Sequence, residues 1–280
     1  MENRPLRSGF SAMFLIFYFE MFWSAGFEDE MKQILFLQKN SRMDFFIDNQ
    51  ETEQQYQEVL HRIRRLRDGI TAGNMAGKGI LYKVNWGVSV VELRKLAVEI
   101  PPDHLLAMKL WNKKWRESMI LATMVDVPAE VTEAQMDYWT KSFENVEIAE
   151  QAVANLWVKT PFAFIKALEW CRGKKHIVRY TGIQMIGRLS RVSKNDPDEM
   201  FEMFFSELAT LAKDRLLSDV LSRTMVCLSQ RSKVLALQVR EFADELIQSG
   251  QEPARELGKS LSEVSHACRS AGDDPDQFIY

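Results

Sequence analysis

Apolar residues recur at three- and four-residue steps nearly everywhere after Thr52, which is the period of an amphipathic α-helix. Tyr56, Val59, Leu60 and Ile63 open this pattern. The 280 residues include only 13 Gly and 8 Pro, fewer than a sandwich or barrel with many tight turns needs. The sequence therefore predicts an all-α fold.

Capping residues indicate where several of these helices begin. Ser89 with Glu92, and Thr132 with Gln135, have the spacing of a capping box. Further helices are predicted to begin at Asp103, Asn145 and Thr160-Pro161 and to lie near 175–192, 198–213, 215–229, 232–248 and 253–269. The glycine-containing segment 69–79 is predicted to be a turn region.

The predicted helices form pairs that repeat about every 30–35 residues. Arg116 and Arg179 each open a helix whose small and apolar residues are typical of the second helix of a HEAT-type repeat. Such pairs bury their apolar faces by stacking. We therefore predict a right-handed curved solenoid of HEAT-like antiparallel helix pairs with a concave basic groove. A compact helical bundle is the alternative.

The first 42 residues differ from the rest of the chain. The segment 10–27 has eight aromatic residues and one charge, Glu20. It is interpreted as an upstream extension before a later start such as Met31 or Met43, as a membrane-associated segment, or as a packed helix. The expected organisation is an N-terminal extension over 1–42, a repeat domain over 43–270 and a polar tail over 271–280.

Positive charge is concentrated in one part of the chain. The segment 159–194 contains nine basic residues and one acid, Glu169, a net charge of +8 in a chain whose total is −3. Basic residues along a curved groove are typical of proteins that bind the phosphates of a nucleic-acid backbone. The alternatives are a set of solvated helix faces and a surface that binds an acidic protein.

The motifs of several enzyme classes do not occur in the sequence. The four histidines have no metal-ligand spacing, and there is no GxSxG, GxGxxG or complete P-loop. We therefore expect no metal and no cofactor. Three separated cysteines without a CxxC predict a reducing, cytoplasmic environment. Glu144, Glu147 and Glu150 lie three residues apart, which predicts one shared acidic helix face.

Four segments resemble the DNA alkylation repair enzyme family, the AlkD-like alkylpurine DNA glycosylases built from HEAT-like repeats. They are 82–97 (YKVNWGVSVVELRKLA), 116–126 (RESMILATMVD), 132–139 (TEAQMDYW) and 159–170 (KTPFAFIKALEW). The resemblance extends over roughly 52–250. It implies excision of N3- or N7-alkylated purines from double-stranded DNA, with a carboxylate that stabilises the oxocarbenium-like sugar.

The resemblance also implies roles for particular residues. The family's catalytic Asp falls on Glu150, and an Arg that contacts a phosphate falls on Arg179. The family's two Trp residues fall on Val146 and at Arg223, so both aromatic side chains of the family's site are missing. The expected DNA-backbone contacts are Arg172, Lys174, Lys175, Arg179, Arg188 and Arg223.

Two interpretations follow, and the sequence leaves excision activity open. The first is a monomeric DNA alkylation repair protein with Glu150 as its catalytic residue and an eroded catalytic motif. The second is a non-catalytic HEAT-like scaffold that binds DNA or an acidic protein. Residues 145–150 discriminate between the two interpretations. Val146 cannot provide the aromatic contact of a Trp, which favours the loss of activity.

Overall fold

The computed structural model describes residues 49–271, with side chains described as far as 263. These residues form α-helices and two 3₁₀ turns, with no β-strand among them. The α-helices are α1 (Gln50–Arg65), α2 (Gly69–Gly77), α3 (Val90–Val98), α4 (His104–Asn112), α5 (Arg116–Val125), α6 (Glu133–Lys141), α7 (Val146–Asn155), α8 (Ala163–Cys171), α9 (His176–Val192), α10 (Glu199–Glu202), α11 (Phe205–Leu211), α12 (Ser218–Ser229), α13 (Lys233–Gln248) and α14 (Glu252–Ala271). The 3₁₀ turns are Trp157–Lys159 and Arg215–Leu217.

Helix pairs stack in two rows, as the all-α repeat prediction requires. The pairs α4 with α5, α8 with α9 and α13 with α14 pack along each other. One row consists of α3, α5, α7, α9, α12 and α14, each in contact with the next. Members of the other row also meet, since α1 contacts α4 and α8 contacts α11. The described residues therefore have the stacked-pair architecture of helical repeats.

A row of tryptophans connects successive elements inside this stack. Trp111 of α4 lies parallel to Trp139 of α6, with ring centroids 4.0 Å apart and 3° between the planes. The ring centroids of Trp139 and Trp157 lie 5.5 Å apart, and those of Trp157 and Trp170 of α8 lie 6.5 Å apart. Because the first three rings are almost completely buried, this row is a continuous aromatic core through three repeats.

Two glycines of α9 allow the close approach of its neighbours. A Cβ atom at Gly182 would lie 2.8 Å from the backbone nitrogen of Cys171 in α8. At Gly187 it would lie 2.8 Å from the hydroxyl oxygen of Thr224 in α12. The small residue that the sequence places at 182 is therefore required by packing, and Gly187 brings α12 against α9.

The predicted caps at Ser89, Asp103, Thr132 and Asn145 are confirmed, since each side chain accepts a hydrogen bond from the backbone of its helix. The predicted cap at Thr160 is wrong. Its hydroxyl donates to the Trp157 carbonyl at 2.8 Å and so closes the 3₁₀ turn, and α8 begins only at Ala163.

Two other local predictions are wrong. The segment 69–79 contains the helix α2, because the Asp68 carboxylate accepts from two backbone amides and caps it. The segment 198–213 contains two short helices, α10 and α11, with a turn at Met203. That turn lets Phe204 pack on α8 while Phe205 packs on α13.

Candidate nucleic-acid groove

A cavity of about 380 Å³ lies where α7, α9 and α12 meet. Gly187 and Thr224 form part of its lining where α9 and α12 pack closest. The other residues that line it are Glu150, Gln184, Arg188, Arg191, Ser222, Arg223, Val226 and Cys227. The lining therefore contains three arginines and one carboxylate, and it contains no aromatic residue.

Glu150 is hydrogen-bonded within this cavity. The Tyr180 hydroxyl donates to Glu150 Oε1 at 2.6 Å, and Arg223 Nη2 donates to the same hydroxyl at 3.0 Å. Arg223 Nη2 also lies 3.5 Å from Glu150 Oε1. Burial and the hydrogen bond to Glu150 raise the pKa of Tyr180 above its ordinary value of 10.0, so the phenol remains a donor.

This arrangement balances the charge of the carboxylate. Three side chains from α7, α9 and α12 form one hydrogen-bonded set, with 37% of the Glu150 side chain and 59% of the Arg223 side chain still exposed. Val146, one helical turn before Glu150, is 44% exposed and offers only a small apolar surface. The site therefore has a partly exposed carboxylate but no ring to stack on a purine.

A second cavity, of about 640 Å³, adjoins the first and shares Arg191 and Cys227 with it. Lys194 and two acids, Asp196 and Asp198, lie in its lining. Arg231 also lines it but is engaged within the protein, with Nε 2.9 Å from Asp198 Oδ1 and Nη1 donating to two backbone carbonyls. The two cavities form one groove, which we name the basic groove after Arg188, Arg191, Lys194 and Arg223.

The residues expected to contact DNA lie in different surroundings. Arg188 and Arg223 line the groove. Arg179 Nη2 lies 3.0 Å from Asp214 Oδ2, and Arg172 Nη2 lies 2.5 Å from Glu207 Oε1, so both have a carboxylate partner.

The adjacent lysines are exposed. Lys175 donates to the Lys141 carbonyl at 3.1 Å. Lys174 has no ion pair among the described residues. The structure therefore brings two of the six predicted contacts into the groove and gives two others a carboxylate partner.

The prediction that Glu144, Glu147 and Glu150 share an acidic face is wrong, because each meets different partners. Glu147 accepts from Arg116 at 2.5 Å and from the Tyr82 hydroxyl at 2.8 Å, whereas Glu150 meets Tyr180 and Arg223. Glu144 precedes α7 and lines a separate cavity.

The contact between Arg116 and Glu147 belongs to a buried network. Arg116 Nη1 donates to the Val88 carbonyl at 2.7 Å and to Glu117 Oε1 at 3.2 Å. The Glu117 carboxylate in turn accepts the backbone N–H groups of Trp86 and Val88. Arg116 and Glu117 therefore hold the segment before α3 against α5 and α7, which is a structural role.

The sequence did not single out Tyr180, which is the hydrogen-bond partner of Glu150. It lies 30 residues after Glu150, the spacing of one predicted repeat, directly after the conspicuous Arg179. A search for polar or aromatic side chains one repeat away from Glu150 would have found it.

Within the described part of the chain, no helix is long and apolar enough to cross a membrane. Among those same residues, no group of three or more His, Cys, Asp or Glu side chains is arranged to hold a metal ion.

A comparison with protein-family models found no match, and a comparison with curated proteins found none either. Among solved structures, one similar fold is that of a member of a family described as related to the HEAT-like repeat DNA glycosylases, with affinity for branched DNA structures. The two chains share 16% sequence identity with a TM-score of 0.58, over 68% of this chain and 82% of the other. This chain therefore has the HEAT-like repeat fold that is found in relatives of DNA glycosylases.

Proposed function

We propose that this protein binds double-stranded DNA as a single chain, through contacts between backbone phosphates and the basic groove. The observation that carries the proposal is the lining of the two joined cavities, which is basic overall. Five basic residues, Arg188, Arg191, Lys194, Arg223 and Arg231, stand against three acids, Glu150, Asp196 and Asp198, and Asp198 is already paired with Arg231. Guanidinium groups suit phosphates because their planar donors match the phosphate oxygens.

The fold supports this proposal. A structural relative with the same repeat architecture comes from a family with affinity for branched DNA. In the described residues, Arg188, Arg191 and Lys194 form no ion pair with an acidic side chain, in contrast to Arg172 and Arg179. Cations without internal partners remain available to an external anion.

The same geometry disfavours base excision. A carboxylate stabilises an oxocarbenium-like sugar through its negative charge, and a guanidinium beside it compensates part of that charge. Glu150 accepts from Tyr180 at 2.6 Å and lies 3.5 Å from the Arg223 guanidinium. The cavity also offers no aromatic face to a cationic base.

Excision of alkylated purines is the second candidate function, and one observation favours it. Glu150, which the resemblance places at the catalytic position, lies in the groove and is partly exposed. If a phosphate draws Arg223 away, the carboxylate gains a free oxygen.

The first experiment measures affinity for a fluorescent duplex over a range of salt concentrations. An Arg188→Ala/Arg191→Ala variant should bind about tenfold more weakly and should reduce the salt slope by about 1.8, since each phosphate contact contributes about 0.9. A Lys78→Ala/Lys233→Ala variant removes two exposed charges, one directly after α2 and one on α13, and serves as the charge-matched control. Equal affinities for the two variants would refute the groove.

A Lys174→Ala/Lys175→Ala variant tests the lysines before α9 in the same way. If these residues contact phosphates, the variant should also bind more weakly than the control variant. Arg179 is left intact because its removal would leave Asp214 without its partner.

Cys227 reports on the place of binding because it lines both cavities. Alkylation of this thiol, followed by peptide mass spectrometry, should slow when duplex is added. Cys171 is the internal reference, because burial raises the pKa of its thiol to about 12 and keeps it unreactive. Unchanged alkylation of Cys227 at saturating duplex would place the DNA elsewhere.

The second candidate is tested by incubating the protein with methylated duplex and measuring released base. We expect no release from the wild-type protein. Release that disappears in Glu150→Gln would establish excision and assign the carboxylate. A Val146→Trp/Glu150→Asp variant restores the family's residue types and shows whether their loss explains an inactive wild type.

A further inference from the structure

A cavity of about 280 Å³ lies apart from the basic groove, between α4, α6 and the start of α7. Its lining includes four aromatic residues, Tyr82, Trp111, Tyr138 and Phe143, of which Tyr138 is the exposed one, and Lys83, Lys114 and Glu144 provide charge. Its volume is near the lower limit for small-molecule sites, about 300 Å³, which suits one ring system. The groove and this aromatic cavity share α7 as a wall, since Glu150 lines one and Ile148 the other.

Lys114 is the most unusual residue of this cavity. Its φ of 59° places it in the left-handed region, the only residue other than glycine with a positive φ in the described part of the chain. A side chain with a Cβ atom is disfavoured there, and such conformations cluster at functional sites. Its ammonium lies 5.1 Å from the ring centroid of Trp111 and 5.8 Å from that of Tyr138.

The aromatic rings of the cavity have different roles. Trp111 is fixed, because it is buried and stacked on Trp139. Tyr138 is 44% exposed, so one part of its ring faces the cavity and another faces solvent. An exposed ring beside a cation is the combination that binds an unstacked base, since the ring stacks on the base and the cation attracts its phosphate.

We propose that the aromatic cavity binds one unpaired nucleobase of the DNA, with Tyr138 stacking on the base and the Lys114 ammonium attracting its phosphate. The inference rests on the proposed DNA binding and extends it to DNA with unpaired bases. Two lysines against one glutamate give the cavity a net positive charge, which favours a nucleotide over a neutral aromatic ligand. Burial lowers the pKa of Lys114, although Glu144 opposes this shift.

The experiment uses a single-stranded tetranucleotide that contains 2-aminopurine, whose fluorescence decreases on stacking. Tyr138→Ala should lower the affinity for this probe about tenfold, the effect of one lost base–aromatic stack. Lys114→Gly should also lower it, and this variant is expected to fold well because glycine adopts a positive φ without strain. Lys113→Ala is the matched control, because the Lys113 ammonium lies over Trp115 instead.

Fully paired duplex provides the comparison that separates this inference from the basic groove. Tyr138→Ala should leave duplex affinity unchanged, whereas Arg188→Ala/Arg191→Ala should reduce it. Wild-type affinity for the tetranucleotide in both Tyr138→Ala and Lys114→Gly would overturn the inference, and so would a wild-type protein that binds no tetranucleotide. Tyr138-dependent binding of the tetranucleotide without duplex binding would support the cavity and refute the groove.

Discussion

The charge of Glu150 should weaken DNA binding rather than promote it. Replacing it by Gln keeps a side-chain oxygen that accepts from Tyr180 but removes a negative charge beside Arg223. If phosphates bind the basic groove, Glu150→Gln should therefore bind duplex more tightly than the wild-type protein. If Glu150 were a catalytic carboxylate, its replacement would change the rate of base excision and not only the affinity for duplex.

The size of the effect follows from the distances in the groove. Arg223 Nη2 lies 3.5 Å from the Glu150 carboxylate, so a phosphate on the far side of the guanidinium would be about 7 Å from that charge. Coulomb repulsion at this distance is about 0.6 kcal/mol in water and about 2.4 kcal/mol at an effective dielectric constant of 20. Physiological salt, with a Debye length of about 8 Å, reduces these energies to less than half. The expected gain in affinity is about 1.5- to 5-fold.

Fluorescence anisotropy with a labelled duplex at an ionic strength of about 0.15 M measures this gain in affinity. Glu245→Gln is the control, because it removes one exposed charge from α13, outside the groove. Loss of the charge-assisted bond from Tyr180 should cost about 1 kcal/mol of folding stability, which leaves the variant folded. Equal affinities for Glu150→Gln and Glu245→Gln would refute the reasoning, because Glu150 would then lie away from the bound phosphates.

Three further predictions concern stability. Arg116→Met should lower the free energy of unfolding by about 3–5 kcal/mol in urea, because it leaves the carboxylates of two glutamates without their buried partner. Gly187→Ala should lower it by about 1–3 kcal/mol through a clash with α12, whereas Gly73→Ala, with open space around it, should not destabilise the protein. At Asp137, burial opposes the charge, but the Trp170 indole and nearby lysines outweigh it and lower the pKa of the carboxyl below 3.8. The stability that this carboxylate contributes is present above pH 3.8 and is lost as the pH falls through its folded pKa, so acid unfolding of Asp137→Asn should depend less on pH in that range.

Each of these predictions has a clear contrary result. Unchanged urea unfolding of the Arg116 variant would show that its network adds nothing net to stability. Equal melting temperatures for the two glycine variants would mean that α12 moves aside without loss. Parallel acid-unfolding curves for the wild-type protein and Asp137→Asn would remove this carboxylate from the acid transition.

The helical fold was predictable because its signals are local. Apolar residues at helical spacing mark the buried faces, and the side chains of Ser89 and Asn145 cap the helices that follow them. Thr160 does not cap α8 because it ends the 3₁₀ turn Trp157–Lys159, where its hydroxyl donates to the Trp157 carbonyl, and α8 begins three residues later at Ala163. Local patterns therefore predict the helices, whereas a short turn between two helices shifts the position at which the second helix begins.

The candidate site was less predictable because its partners come from different repeats. Glu150 meets Tyr180 and Arg223, which lie 30 and 73 residues further along the chain. Sequence spacing placed Glu150 beside Glu147 on one helix, yet the two carboxylates meet different helices. Contacts of this kind depend on how successive helices stack, and a pattern within one helix does not contain that information.

The contacts between repeats also change the interpretation of the basic segment 159–194. A net charge of +8 over 159–194 indicates a basic surface, but several of these basic residues pair with acids outside the segment. Lys166 is buried between Glu133 and Glu169, at 3.1 and 2.8 Å. Arg172 and Arg179 likewise meet acids that follow the segment. Charge counted along the chain therefore overstates what a DNA phosphate would encounter.

The cations that remain available are those whose neighbouring repeat offers no strong acidic partner. Arg188 and Arg191 follow Arg179 on the same helix, but α12 presents Ser222 and Cys227 to the cavities that they line, not a carboxylate. A phosphate that binds Arg172 or Arg179 must displace the carboxylate partner of that arginine, which reduces the net binding energy. Arg188 and Arg191 should therefore each contribute more to DNA affinity than Arg172 or Arg179. The position of the groove is thus set by the absence of a carboxylate from the face of α12 that lines it as much as by the basic residues of α9.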